Sequence, residues 1–200
     1  MLLDSALNNS ERVIVEFGMG DGLLLKKLVE NNYDIKLIPN ATRATYVGIE
    51  VDEEQFKFAK SRMRYNKNVF LLNAPLERIV PIFANCSIDQ ILYVLPDPEH
   101  IDRPIQRKWE SFYKVSYLKL KGRGLFRLVT EVINDLLEPV SDEAYNNWIV
   151  WLSESFETMG FTKIDTIHSS PDGYITKYLT QFRGDTERIR IVTMDFIKVR

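Results

Sequence analysis

Two hundred residues that are 45% hydrophobic and 12% aromatic carry enough apolar surface for one sizeable core, which predicts a single domain over 1–200. One cysteine and two histidines exclude an internal disulfide and a Cys/His metal cluster, and a net charge of −2 gives no global sign of a polyanionic partner. The opening Met1-Leu2-Leu3-Asp4 lacks a basic start followed by a long apolar stretch, and no apolar run reaches membrane-spanning length; the expectation is a soluble, cytoplasmic protein with no membrane and no metal partner.

Taken in chain order, apolar runs rich in β-branched residues alternate with segments of helical period. Strands are predicted at Arg12 to Phe17, Thr45 to Glu50, Val69 to Leu72, Ile88 to Leu95, Gly124 to Thr130, Phe161 to His168 and Arg188 to Val199. Helices are predicted at Asp21 to Asn31, Glu53 to Tyr65, Pro75 to Phe83, Pro104 to Leu120 and Asp142 to Met159. This is an α/β pattern: a seven-stranded, mostly parallel, Rossmann-like sheet with helices on both faces. The last strand follows its predecessor with no long helix between, which predicts an antiparallel edge hairpin at the carboxyl end. In Lys121-Gly122-Arg123-Gly124 the glycines permit the chain to turn back into the sheet.

The first strand runs into Glu16-Phe17-Gly18-Met19-Gly20-Asp21-Gly22. In an open α/β sheet this turn is where a nucleotide-like ligand approaches the backbone, and glycines remove the Cβ atoms that would hold it away. The spacing is Gly-x-Gly-x-Gly, not the Gly-x-Gly-x-x-Gly of a dinucleotide site, and the preceding Glu16 disfavours a pyrophosphate and suits a cationic amino group. Glu50 at the end of the second strand places a carboxylate where a ribose diol can donate to it. Asn73-Ala74 after the third strand offers an amide side chain and a backbone N–H to an adenine. Glu16, Gly18, Gly20, Gly22, Glu50, Asn73 and Ala74 together describe adenosine joined to an amino acid, as in S-adenosylmethionine.

Charge is uneven along the chain. From 101 to 127 there are eight Lys/Arg against two acids, and from 128 to 165 eight acids against one lysine. A folded chain could present one basic face to a phosphate backbone, although solvated helix faces produce the same count. Cys86 reads as a buried small hydrophobe, His100 as a surface-loop histidine, and Trp148 with Trp151 as neighbours on the core side of one helix.

The fourth strand ends in Leu95-Pro96-Asp97-Pro98, and here the chain resembles the tRNA (guanine-N(7))-methyltransferase family. Val15-Glu16-Phe17-Gly18-Met19-Gly20, Gly48-Ile49-Glu50, Leu120-Lys121-Gly122-Arg123-Gly124 and Thr176-Lys177-Tyr178 are similar to further motifs of that family. The resemblance implies a class I methyltransferase using S-adenosylmethionine, with tRNA as partner, Asp97 as the catalytic residue, and Glu131, Thr176, Lys177, Arg103, Arg107 and Lys108 on the substrate side. Leu179, Glu99 and Ile101 depart from the pattern at a glutamate, a tryptophan and a lysine. Two alternatives stay open: methylation of an exocyclic amino group, and a catalytically inactive subunit that binds RNA or a protein. Oligomeric state, whether homo-oligomer or partner subunit, is not fixed by the sequence.

Overall fold

The computed structural model describes residues 7, 12–31, 44–133 and 138–199. Seven strands form one sheet: β1 (Arg12–Phe17), β2 (Ala44–Glu50), β3 (Val69–Asn73), β4 (Ile88–Val94), β5 (Leu120–Val132), β6 (Thr162–Ile167) and β7 (Arg190–Ile197). Their spatial order is β3-β2-β1-β4-β5-β7-β6. The first five are parallel, while β7 is antiparallel to both β5 and β6. The order reverses between β1 and β4, and a sheet of this kind opens a crevice at the carboxyl ends of its strands there.

The helices are α1 (Leu23–Asn31), α2 (Glu53–Arg62), α3 (Leu76–Ile79), α4 (Gln106–Lys119), α5 (Asp142–Thr158) and α6 (Lys177–Arg183). Side chains alternate across the sheet. Along β1, Val13, Val15 and Phe17 enter one core with Trp109, Phe112 and Tyr113 of α4 and Leu152 and Phe156 of α5. Ile14 enters the other, with Leu24, Leu25 and Leu28 of α1 and Ala59 of α2. Both faces of the sheet are therefore covered, and none of the helices among the described residues is long and apolar enough to cross a membrane.

The predicted strands all form, with β5 starting four residues early, at Leu120. The turn expected of the glycines at 122 and 124 falls instead on Arg123, whose φ is 65°. The predicted edge hairpin forms as the antiparallel pair β6–β7, and its connection contains α6, which has no counterpart among the predicted helices. Thr176 caps it, its hydroxyl accepting from the Leu179 N–H at 3.0 Å, and Leu179 is fully buried. Cys86 is exposed, not buried, with the Lys198 Nζ 3.5 Å from its sulfur. Trp148 and Trp151 meet each other edge to face at 5.9 Å and pack against the core as expected.

One row of side chains crosses the second face of the sheet. Glu16, Leu92, Arg127 and Asp195 are register partners on successive strands. Arg127 and Asp195 form a buried two-point ion pair, Nε to Oδ1 at 2.7 Å and Nη2 to Oδ2 at 2.5 Å. Burial lowers the guanidinium pKa, but Asp195 and Tyr174 more than offset it and the net direction is upward.

Candidate functional site

At the carboxyl ends of β1, β2 and β4 lies a cleft of about 490 Å³. Its first wall is the turn after β1, where Gly18, Gly20 and Gly22 have φ of 61°, 55° and 74°. Those values lie in the left-handed region that only glycine adopts without strain. A Cβ at Gly20 would have no protein atom within 4 Å, so the bare backbone there faces open space. The turn is tied to β2 by the Met19 N–H donating to the Ile49 carbonyl at 3.0 Å. Gly22 does something else: a Cβ there would stand 2.9 Å from the Ala59 Cβ. Its bareness lets α1 and α2 pack, and it is absent from the cleft lining.

Glu50 forms the second wall. Oε2 accepts from the Gly20 N–H and Oε1 from the Asp52 N–H, both at 2.8 Å. Each oxygen keeps a second lone pair, so the carboxylate is oriented and still able to accept from a diol. The Asn73 amide does not face the cleft as expected; its Nδ2 donates to the Glu50 carbonyl at 2.8 Å and the Val51 carbonyl at 3.2 Å. It fixes the backbone that carries Glu50, while neighbouring Ala74 does line the cleft.

Glu16 is only 1% exposed and is not part of the cleft lining. Its Oε2 has no hydrogen-bond partner among the described residues. Burial, then the charges of Asp21 and Glu50, push its pKa well above the usual carboxylate range. The structure therefore buries this acid away from the cleft lining.

The opposite wall is the segment after β4. Leu95 has φ 53°, a conformation that costs a residue with a Cβ about 1–2 kcal/mol, and it turns the chain into Pro96 and Asp97. The Asp97 Oδ1 accepts from the Glu99 N–H at 2.9 Å, capping the short helical turn Pro98–His100. Asp97 is exposed on the cleft. Thr176 and Lys177, with Tyr178, close the third side from the start of α6.

A hydrogen-bonded chain that no sequence motif announces lies beside Asp97. The His100 ring is held at Nδ1 by the Tyr93 hydroxyl and at Nε2 by the Glu77 carboxylate, each at 2.5 Å, and it stacks on Phe112 with centroids 4.9 Å apart. Burial pushes the Tyr93 hydroxyl far above the usual phenol range. Burial also acts upward on Glu77, but hydrogen bonds from its own backbone and from His100 hold its carboxyl below the ordinary value. His100 is thus a fixed part of the cleft wall, not a free loop histidine. Its two partners are seven and 23 residues away in sequence, too far for any local pattern to show.

Two substrate-side expectations fare differently. Glu131 is absent from the cleft lining; burial raises its pKa, and its Oε2 is buried without a partner among the described residues. The basic run does not form one face. Lys119 is buried on Asn85, Lys121 pairs with Asp89, Lys114 with Glu110 and Arg127 with Asp195. Arg103, Arg107 and Lys108 remain exposed around the start of α4, beside the cleft rim, where Lys108 shares a groove with Glu77, Glu99 and His100. Asp135 of the acidic run lies outside the described residues.

Comparison with known proteins gives no matching family model and no matching curated protein. Solved structures do match over nearly the whole chain. An antibiotic-related methyltransferase is 18% identical, with 97% of this chain and 91% of that one covered at a TM-score of 0.66. The 16S rRNA (adenine(1408)-N(1))-methyltransferase from Catenulisporales acidiphilia is 12% identical, with 98% and 90% covered at 0.70. The 16S rRNA methyltransferase KamB is 14% identical, with 98% and 92% covered at 0.71. The fold is that of the class I methyltransferases.

Proposed function

We propose that the protein is an S-adenosylmethionine-dependent methyltransferase acting on a ring nitrogen of a purine in RNA, and specifically on guanine-N(7) of tRNA. The observation that carries the reading is the cleft itself: bare Gly20 and oriented Glu50 on one wall, Asp97 on the other. The residues present fit the cofactor. Glu50 offers acceptor lone pairs to a ribose, Gly18 and Gly20 leave room for an extended chain, and the unpartnered Glu16 oxygen is a buried polar group toward its amino group. When bound, the cofactor supplies a methyl group activated by its sulfonium.

The rest falls to the protein. An in-line displacement needs the acceptor atom oriented and water excluded. A purine ring nitrogen with a free lone pair needs no proton removed. Asp97, whose Oδ1 is fixed by Glu99, accepts from the ring and amino N–H groups of guanine, and its charge stabilises the cationic base as it forms. Thr176 and Lys177 close on the base from α6, and Arg103, Arg107 and Lys108 take phosphates. The Pro96-Asp97-Pro98 resemblance and this geometry favour guanine-N(7). Adenine-N(1) of rRNA is the second reading, favoured by the two rRNA methyltransferases among the structural neighbours and by Leu179, which is core where the resembled family has a glutamate.

Nucleoside mass spectrometry on tRNA and rRNA incubated with the protein and isotopically labelled cofactor tests this. Label in 7-methylguanosine from tRNA is expected. Label in 1-methyladenosine would establish the second reading, and an absence of label from all RNA would overturn both.

A further inference from the structure

A second cavity, of about 540 Å³, lies outside the cleft and is lined by Tyr145, His168, Ser169, Ser170, Arg183 and Arg190, with Asp172 as the carboxylate on its wall. Its place follows from strand direction. Strands β5 and β6 are both antiparallel to β7, so the end of β6 and the start of β7 lie on the sheet edge that carries the cleft. His168 follows β6 and Arg190 opens β7.

The donors there are held in place. Arg183 donates from Nε to the Ser170 hydroxyl at 2.7 Å and from Nη2 to the Pro171 carbonyl at 3.1 Å. Among the described residues it has no carboxylate partner. Arg190 lies over the Tyr145 ring, 3.8 Å from its centroid, with Nη1 on Asp142 at 2.6 Å. The Tyr145 hydroxyl meets the His168 Nδ1 at 3.1 Å, leaving Nε2 as the ring atom available to a ligand. The Arg183 bonds use Nε and Nη2 and leave its Nη1 for a ligand, and a charged donor held beside hydroxyls is suited to phosphate oxygens.

Helix α6 joins the two sites. Its first residues, with capping Thr176, line the cleft, and its last, Arg183, lines the cavity. Seven residues of helix span about 10 Å, too far for a free nucleobase and within reach of a chain of nucleotides. We propose that this cavity is a second anion site that takes a backbone phosphodiester of the substrate, a nucleotide or two from the base held at Asp97. It rests on the RNA reading above and places the strand across α6, on the opposite side of the cleft from Arg103, Arg107 and Lys108.

Two variants test it. Arg183→Gln removes the charge, and Thr186→Asp adds a repelling one at an exposed cavity residue while leaving Arg183 and its hydrogen bonds in place. Both should raise KM for the methylated RNA about tenfold with kcat and cofactor affinity unchanged. Arg183→Gln should also make the log affinity against log salt plot shallower by about 0.7–0.9, the share of one phosphate contact. In a parallel arm, the His168 ring resonances should shift on adding RNA, while millimolar inorganic phosphate produces little shift and fails to displace RNA. If the wild type methylates RNA and neither variant changes KM or the salt slope, the cavity site is wrong and the RNA reading stands. Tight saturable binding of inorganic phosphate that RNA does not compete for would assign the cavity to a small anion instead. A wild type that methylates no RNA removes both readings together.

Discussion

The two walls of the cleft are built by different means. On the β1–β2 side, backbone does the work: three glycines with positive φ, a Met19 N–H on the Ile49 carbonyl, and Gly20 and Asp52 N–H groups on Glu50. On the β4–α6 side, side-chain contacts do it: His100 bridges Tyr93 and Glu77, Asp97 caps a short helical turn and Thr176 caps α6. A backbone-built wall suits a ligand common to many reactions. A wall of side chains can be re-cut for a new acceptor.

If the walls are separable, damage to one should spare the other. The largest effect is expected at Asp97. Asp97→Asn should lower turnover about 100-fold or more, the scale seen when one preorganised electrostatic group is removed, with cofactor affinity unchanged by calorimetry. Loss of cofactor binding in this variant would merge the two walls into one.

His100→Phe keeps the stacking on Phe112 but breaks both hydrogen bonds. Its expected effect is smaller, about tenfold on kcat, since one net hydrogen bond is worth about 0.5–1.5 kcal/mol. Glu77→Gln, which retains an acceptor, should stay close to wild type. Equal losses in Glu77→Gln and Glu77→Ala would show that charge, not positioning, matters at this wall.

Reversing the charge of two among Arg103, Arg107 and Lys108 should weaken RNA binding and reduce the salt slope by about 0.7–0.9 per lost contact, with cofactor affinity unaltered. An unchanged slope would mark them as solvated surface.

The smallest effect concerns stability. Burial raises the Glu16 pKa above its unfolded value of 4.5, so the native state holds a proton that the unfolded chain releases. Stability contributed by protonated Glu16 is therefore full below pH 4.5 and is lost as pH rises through the elevated native pKa. Glu16→Gln should melt close to wild type near pH 4.5 and above it near pH 8, by about 2–4 °C for each kcal/mol of relieved charge burial. A difference independent of pH would contradict the buried-charge account.

The same contrast explains what could be read from the sequence. Strands β1, β2 and β4 were legible because parallel strands covered on both faces are continuous apolar runs, and Glu50 and the glycine turn stand on the cleft because strand ends place them there. Gly22 and Asn73 lie off the cleft lining for one reason: each sits in the motif, yet its partner, Ala59 or the Glu50 carbonyl, comes from a neighbouring element. Helix α6 escaped because its seven residues are too few for a clear period, although Thr176 was already a capping residue in plain view. The Glu77–His100–Tyr93 chain carries no local signal at all.

Calorimetric titration of S-adenosylmethionine and its demethylated product into wild type and Glu50→Ala tests whether the cleft is a cofactor site organised around Glu50. Micromolar affinity in the wild type and a loss of tenfold or more in the variant are expected, because charge-assisted hydrogen bonds to the ribose and the anchor of the Gly20 N–H disappear together. No binding to the wild type, or equal binding to both proteins, would contradict it.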